Sequence, residues 1–191
     1  MTFGEGKRKT LMLMDEYSSG GQRTQDRDIE LKMADFFDLA QRNVSQFQPI
    51  RAKTALALGD PVEKEGPYGV YDLPGDVGRI TRIWKDGRVA TGRYRVRGKQ
   101  LLVPSEETGT LQIEYHAVPA PITLETPDEY VFQVTEEGAA CMPYFVAAQQ
   151  LAVDLVVDHT ALLGLYDRML AKLDPGGGDR FGGLMRQTFF R

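Results

Sequence analysis

Two periodicities divide this chain and constrain what it can fold into. Near both ends, apolar residues recur at helical spacing. Between residues 61 and 121 the chain instead runs in short alternating stretches broken by glycine and proline. An amphipathic helix must bury its apolar face, and the two terminal groups offer each other that partner. The expected fold is therefore α+β: a small bundle of about four helices drawn from both chain ends, an inserted antiparallel β unit, and an extended C-terminal arm. The corresponding boundaries are 1–59, 60–125, 126–174 and 175–191.

Residues 26–48 carry the strongest helix signal. Asp26 or Asp28 can cap its start, and Ile29, Met33, Phe36, Phe37, Ala40, Val44 and Phe47 form one stripe before Pro49 stops it. A shorter helix, "RKTLMLMDEY", precedes it across "SSGGQ", so the pair reads as a helical hairpin. In the middle, "YGVYDL", "GRITRIW", "RVATGRYRV", "KQLLV" and "GTLQIEYHAV" read as strands. "KDGR" and "RGKQ" read as hairpin turns whose glycines supply positive φ. Such strands make a small sheet, a sandwich or a partly closed barrel, with Trp84, Tyr94, Leu102, Ile113 and Tyr115 as core candidates. Helix resumes after Thr135, a cap followed by Glu136 and Glu137, and Pro143 should kink or split it. A last helix, "TALLGLYDRMLAKL", turns Leu162, Leu165, Tyr166, Met169, Leu170 and Leu173 inward.

Charge is placed unevenly. The chain has a net charge of −4, yet residues 76–99 hold eight basic residues against Asp76 and Asp86, a net +6 that leaves −10 elsewhere. A basic segment between acidic flanks points to docking against a charged partner, another copy of the chain included. No run of about 18 apolar residues exists to span a bilayer. "MTFGEGKRKT" holds no apolar segment before a small-residue cleavage site, so no secretory leader is expected, and the lone Cys141 excludes an internal disulfide; a reducing cytoplasm, or a particle assembled there, is the expected setting.

No residue pattern prescribes a reaction. His116 and His159 lack metal-ligand spacing and read as structural or exposed. Cys141 sits in an apolar helix, as a buried small hydrophobe would. "DPGGGDRFGG" lacks the lysine and hydroxyl of a phosphate loop and follows a helix rather than a strand, so it reads as a linker. The acidic pairs Glu106, Glu107 and Glu136, Glu137 are adjacent rather than facing. We therefore expect no catalytic residue, metal or cofactor.

The stretch "GRYRVRGK" has three readings. In a strand, Arg93, Arg95 and Arg97 project from one face with Lys99 continuing the row, while Tyr94 and Val96 point away. The face is solvated, or pairs with acidic surface on a neighbouring subunit, or, joined by Arg79 and Arg82, touches nucleic-acid phosphate. Tyr94 lies on the wrong side to stack bases beside those arginines. The tail "RFGGLMRQTFFR" is either a disordered end or an arm that orders on a partner through Arg180, Phe181, Leu184, Met185, Arg186, Phe189 and Phe190.

Taken together, "LPGDVGRITRIWKDG", "YRVRGKQLLV", "GTLQIEYHAVPAPIT" and "PDEYVFQVTEEGAACMPYFVAAQQLAVD" resemble the head–tail adaptor (connector, neck or gatekeeper-like) proteins of tailed bacteriophages. "MADFFDLAQRNVSQFQPI" is similar to that family's early helix, and Tyr115 with the 119–121 proline turn to its strand-to-turn passage. The resemblance covers roughly residues 10–173 as a layout. It implies a virion protein of the head–tail neck, assembled in the host cytoplasm as a ring, usually dodecameric, beneath the portal. Such a ring extends the DNA channel and offers a platform to tail proteins of the nozzle or tube. It also implies that the C-terminal segment docks on the portal and that genomic DNA passes without sequence-specific binding.

Overall fold

The computed structural model describes residues 1–14, 27–90, 92–152 and 159–173. Its order is α1 (Phe3–Leu13), α2 (Arg27–Phe47), β1 (Ile50–Leu58), β2 (Glu63–Glu65), β3 (Tyr68–Asp72), β4 (Val77–Lys85), β5 (Arg88–Val89), β6 (Arg95–Arg97), β7 (Gln100–Pro104), β8 (Gly109–Ala117), α3 (Glu136–Ala152) and α4 (Thr160–Lys172). The fold is α+β, as the two periodicities require.

In the helical part, α1, α2 and α4 each pack against α3. Its mixture of Ala, Val, Met and Phe leaves no polar face, and most of its residues are buried. Thr135 caps it, accepting the Gly138 N–H at 3.1 Å. It runs through Pro143 as one helix, so of the expected kink or split the split does not occur. α1 starts earlier than its apolar pattern predicts, because Thr2 and Glu5 form a reciprocal capping box at the chain's start. It reaches α2 through Phe3, whose ring meets Phe37 edge-on at 5.6 Å, while Phe132 stacks on Phe37 at 5.3 Å. On α4, Tyr166, Leu170 and Leu173 turn inward, whereas Leu165 is exposed. The "SSGGQ" link, an Asp26 cap, the end of the helix that follows Thr135 and the C-terminal arm lie outside the described residues.

The β part holds two four-stranded antiparallel sheets, β1-β8-β4-β5 and β2-β3-β7-β6. They share one core, with Leu101 and Val103 from the second sheet against Leu111, Ile113 and Tyr115 from the first. Both hairpin turns form where expected. Asp86 (φ 50°) and Gly87 (φ 74°) give the doubly positive turn of the β4–β5 hairpin, and Gly98 (φ 58°) opens the β6–β7 turn. β1 is an addition: the sheet begins at residue 50, inside the segment assigned to helix, and pairs with β8 along its full length. Of the core candidates, Ile113 and Tyr115 point between the sheets, and Tyr94 packs at the margin. Leu102 is buried on the opposite side of its sheet. Trp84 faces outward, because a register shift between Ile80 and Arg82 sends Ile80 and Ile83 inward together.

A connector, residues 118–135, returns the chain from β8 to α3 and is tied to α2. The fully buried Gln41 accepts the Gln133 N–H at 2.8 Å and donates to the Ala120 carbonyl at 3.1 Å. Asp38 accepts the Ile122 N–H at 3.0 Å.

Candidate functional site

The structure separates the basic residues that the sequence places in one segment. Arg95 and Arg97 lie on β6, two residues apart and on the same outward face, as alternation requires. Arg93 falls outside any strand, since the reading of 88–96 as one continuous strand fails. The break surrounds Gly92, where a Cβ would stand 2.6 Å from the Tyr94 ring. Lys99 is beyond the Gly98 turn and donates to the Val77 carbonyl, so it does not continue the row.

Both β6 arginines find partners within their own sheet. The Arg95 guanidinium sits 4.9 Å from the Tyr68 ring centroid. Arg97 pairs with Glu65 at 2.7 Å and contacts Gln100 at 3.3 Å. Glu65 belongs to one edge strand and Arg97 to the other, so the pair crosses the outer face on which Val70 and Leu102 are buried. These long side chains supply the polar lid of an apolar strip, as amphipathic stems do.

A different cationic surface emerges on the other sheet. The β1–β8–β4 register sets Arg51 beside His116 and His116 beside Arg79; the next row is Lys53, Glu114 and Arg82. The following row brings Ala55, Gln112 and Trp84, with Val89 of β5 beside Trp84. Arg51, Lys53, Arg79 and Arg82 are exposed around the single carboxylate of Glu114. That carboxylate pairs with Lys53 at 2.7 Å, and its pKa is held below the ordinary range by the Lys53 contact, with Trp84 and Arg82 adding. His116 is held below its usual value by burial and by its neighbours Arg79 and Arg51, so it stays neutral and adds no charge near pH 7. Arg51 and Lys53 escaped the sequence reading because β1 did. The signal was their alternation with half-buried Ala52 and Thr54.

The remaining candidates sit apart. Glu107 pairs with Lys85 at the rim of an open depression of about 590 Å³ that Tyr94 and Val89 also line. Tyr115 donates to both oxygens of Asp76 at 3.2 Å, which fixes the approach to β4. His159 precedes the first turn of α4 and makes no side-chain cap. The Cys141 thiol is buried, donates to the Gly138 carbonyl at 2.9 Å, and is pushed up to about 11 by burial. Among the described residues, no three His, Cys, Asp or Glu side chains converge on a metal position, and no helix is long and apolar enough to cross a membrane. Arg180, Phe181, Leu184, Met185, Arg186, Phe189, Phe190 and the "DPGGGDRFGG" stretch lie outside the described residues.

These residues define an α+β chain with a helical bundle, a β sandwich and two unlike charged faces: one self-neutralised, the other open and cationic. Comparison with protein-family models and with curated proteins gives no match to this chain.

Proposed function

We propose that this chain is a structural protein of a tailed-bacteriophage virion: a head–tail adaptor that assembles as a ring, usually dodecameric in the family it resembles, beneath the portal. There it extends the DNA channel and gives tail proteins of the nozzle or tube a platform. The observation that carries this reading is the layout: helices from both chain ends close on α3, and the β sandwich stands between them in sequence. That arrangement matches the resemblance carried by the quoted sequence segments, with Tyr115 leading from β8 into the proline turn. The reading assigns the chain no reaction, cofactor or metal, and places it in the virion neck after assembly in the host cytoplasm.

Residues 175–191 would act as the portal-docking arm through Arg180, Phe181, Leu184, Met185, Arg186, Phe189 and Phe190, an aromatic and cationic set suited to strand addition or groove insertion. Deleting 175–191 tests it. The truncated chain should keep its circular dichroism and thermal transition but no longer co-sediment with portal-bearing capsids. Undiminished attachment would remove the arm from the account.

A second reading, a nucleic-acid-binding module, is favoured by the open cationic face around Arg79 and Arg82. It requires an affinity for duplex DNA whose logarithm falls linearly with log salt, because the arginines displace counterions from the phosphates. The loss of Arg95 and Arg97 to partners within their own sheet weakens it.

A further inference from the structure

The open face of β1, β8 and β4 carries Arg51, Lys53, Arg79 and Arg82 against one carboxylate, a surplus of three positive charges; in a chain of net charge −4 this leaves −7 elsewhere. Among the described residues, neither Arg51, Arg79 nor Arg82 forms an ion pair; Glu114 takes Lys53 instead. A macromolecule this acidic is itself a complementary surface for its own cationic patch.

Residues 124–131 of the connector supply the complement. Glu125 and Glu129 are exposed there, flanked by the exposed apolar side chains of Leu124 (53%) and Val131 (62%). The cationic face has a similar composition at its margin, where half-buried Trp84 adjoins Val89 (52% exposed). Within one chain, among the described residues, neither Glu125 nor Glu129 forms an ion pair with that face. The Phe3 N–H bonds the Tyr130 carbonyl at 2.8 Å and the Gly4 N–H bonds the Asp128 carbonyl at 2.9 Å, so the acidic stretch is fastened to the start of α1. Ile122 is bound to Asp38, nine residues before the end of α2, about 13 Å along the helix axis from the end that leads into the sheet.

We propose that the cationic face of one copy receives the 124–131 segment of a second copy, with Glu125 and Glu129 set against Arg51, Arg79 and Arg82 and the apolar pairs meeting at the margin. Two different patches make the contact heterologous, so each copy offers one of each and the step repeats. A repeated heterologous step gives a ring when its rotation closes. The contact deepens the adaptor reading and rests on it for the ring.

Disulfide trapping of the isolated full-length chain is the test, with Cys141 replaced by alanine so that the introduced thiols are the only ones. One population carries Arg79→Cys and the other Glu129→Cys, both exposed positions whose folding is checked by circular dichroism. Mixed under mild oxidation, they should yield the 79–129 heterodimer in about fivefold or greater excess over either homodimer, an excess that high salt erodes. A Glu125→Lys change in the Glu129→Cys population should lower the yield severalfold. Equal yields of all three dimers, no dimer at all, or a heterodimer yield unchanged by the Glu125→Lys change would overturn the proposal. The trap needs no portal. A chain that traps the heterodimer yet ignores portal rings keeps the contact and loses the adaptor reading; seating on portals without a trapped heterodimer does the reverse.

Discussion

Replacing Gln41 by leucine removes the bonds that fasten the connector to α2 while nearly conserving volume. Gln41 is fully buried, and its two main partners are backbone groups 79 and 92 residues away in sequence: the Ala120 carbonyl at 3.1 Å and the Gln133 N–H at 2.8 Å. Tyr130 lies at 3.4 Å and contributes less. Ala120 and Gln133 are exposed residues whose freed backbone groups water can reach, so each lost bond costs about 0.5–1.5 kcal/mol, and the leucine returns part of that through apolar burial. The net expectation is a loss of about 1–2 kcal/mol, a measurable share of the roughly 5–15 kcal/mol that holds a domain folded. Urea unfolding should move its midpoint with little change in slope, and the Gln133 amide should lose hydrogen-exchange protection more than amides of the sandwich core. A loss below about 1 kcal/mol with Gln133 still protected would refute the idea that Gln41 ties the connector down.

Gly138→Ala places a Cβ 2.6 Å from Val44 Cγ1, so overpacking of about 1–3 kcal/mol should exceed the helix-propensity gain of up to about 1 kcal/mol; Val44→Ala in the same chain should recover part of the loss, and thermal melts of the two variants beside the parent chain decide it. Cys141 keeps its proton when folded up to about 11 against an ordinary 9.0, so between those values the folded state binds more protons than the unfolded one. Stability should therefore fall as pH rises through that window, Cys141→Ala should flatten the slope, and a thiol reagent at pH 8 should label the residue only after denaturation. The Glu65 and Arg97 side chains are both about half exposed, so a double-mutant cycle to alanine should give a coupling under about 1 kcal/mol, whereas Val70→Ala beneath them costs more.

The helices were readable because their apolar stripes are long: the 3.6-residue period over 26–48 leaves one choice, and Pro49 marks its end. The apolar run alone misplaces α1, because its start is signalled by Thr2 and Glu5, a capping box within the first five residues. β1 hid because alanine and threonine fill four of its nine positions; the alternation is present but the contrast is low, and pairing with β8 supplies what propensity does not. Trp84 illustrates a limit of period counting, since one register shift near Thr81 reverses the faces that alternation assigns beyond it. The arginine stretch was readable in its alternation and unreadable in its partners. Arg95 and Arg97 meet Tyr68 and Glu65 only once four strands are ordered side by side. The open cationic face needed three strands in register, two of them more than 20 residues apart in sequence.

The chain's seat in a collar is tested most directly by a low-resolution image of purified portal rings incubated with the full-length protein. A head–tail adaptor should give a regular collar of repeated copies on one end of each ring, absent when residues 175–191 are deleted. Bare portal rings at saturating protein, or copies scattered over the ring without a common axis, would contradict it.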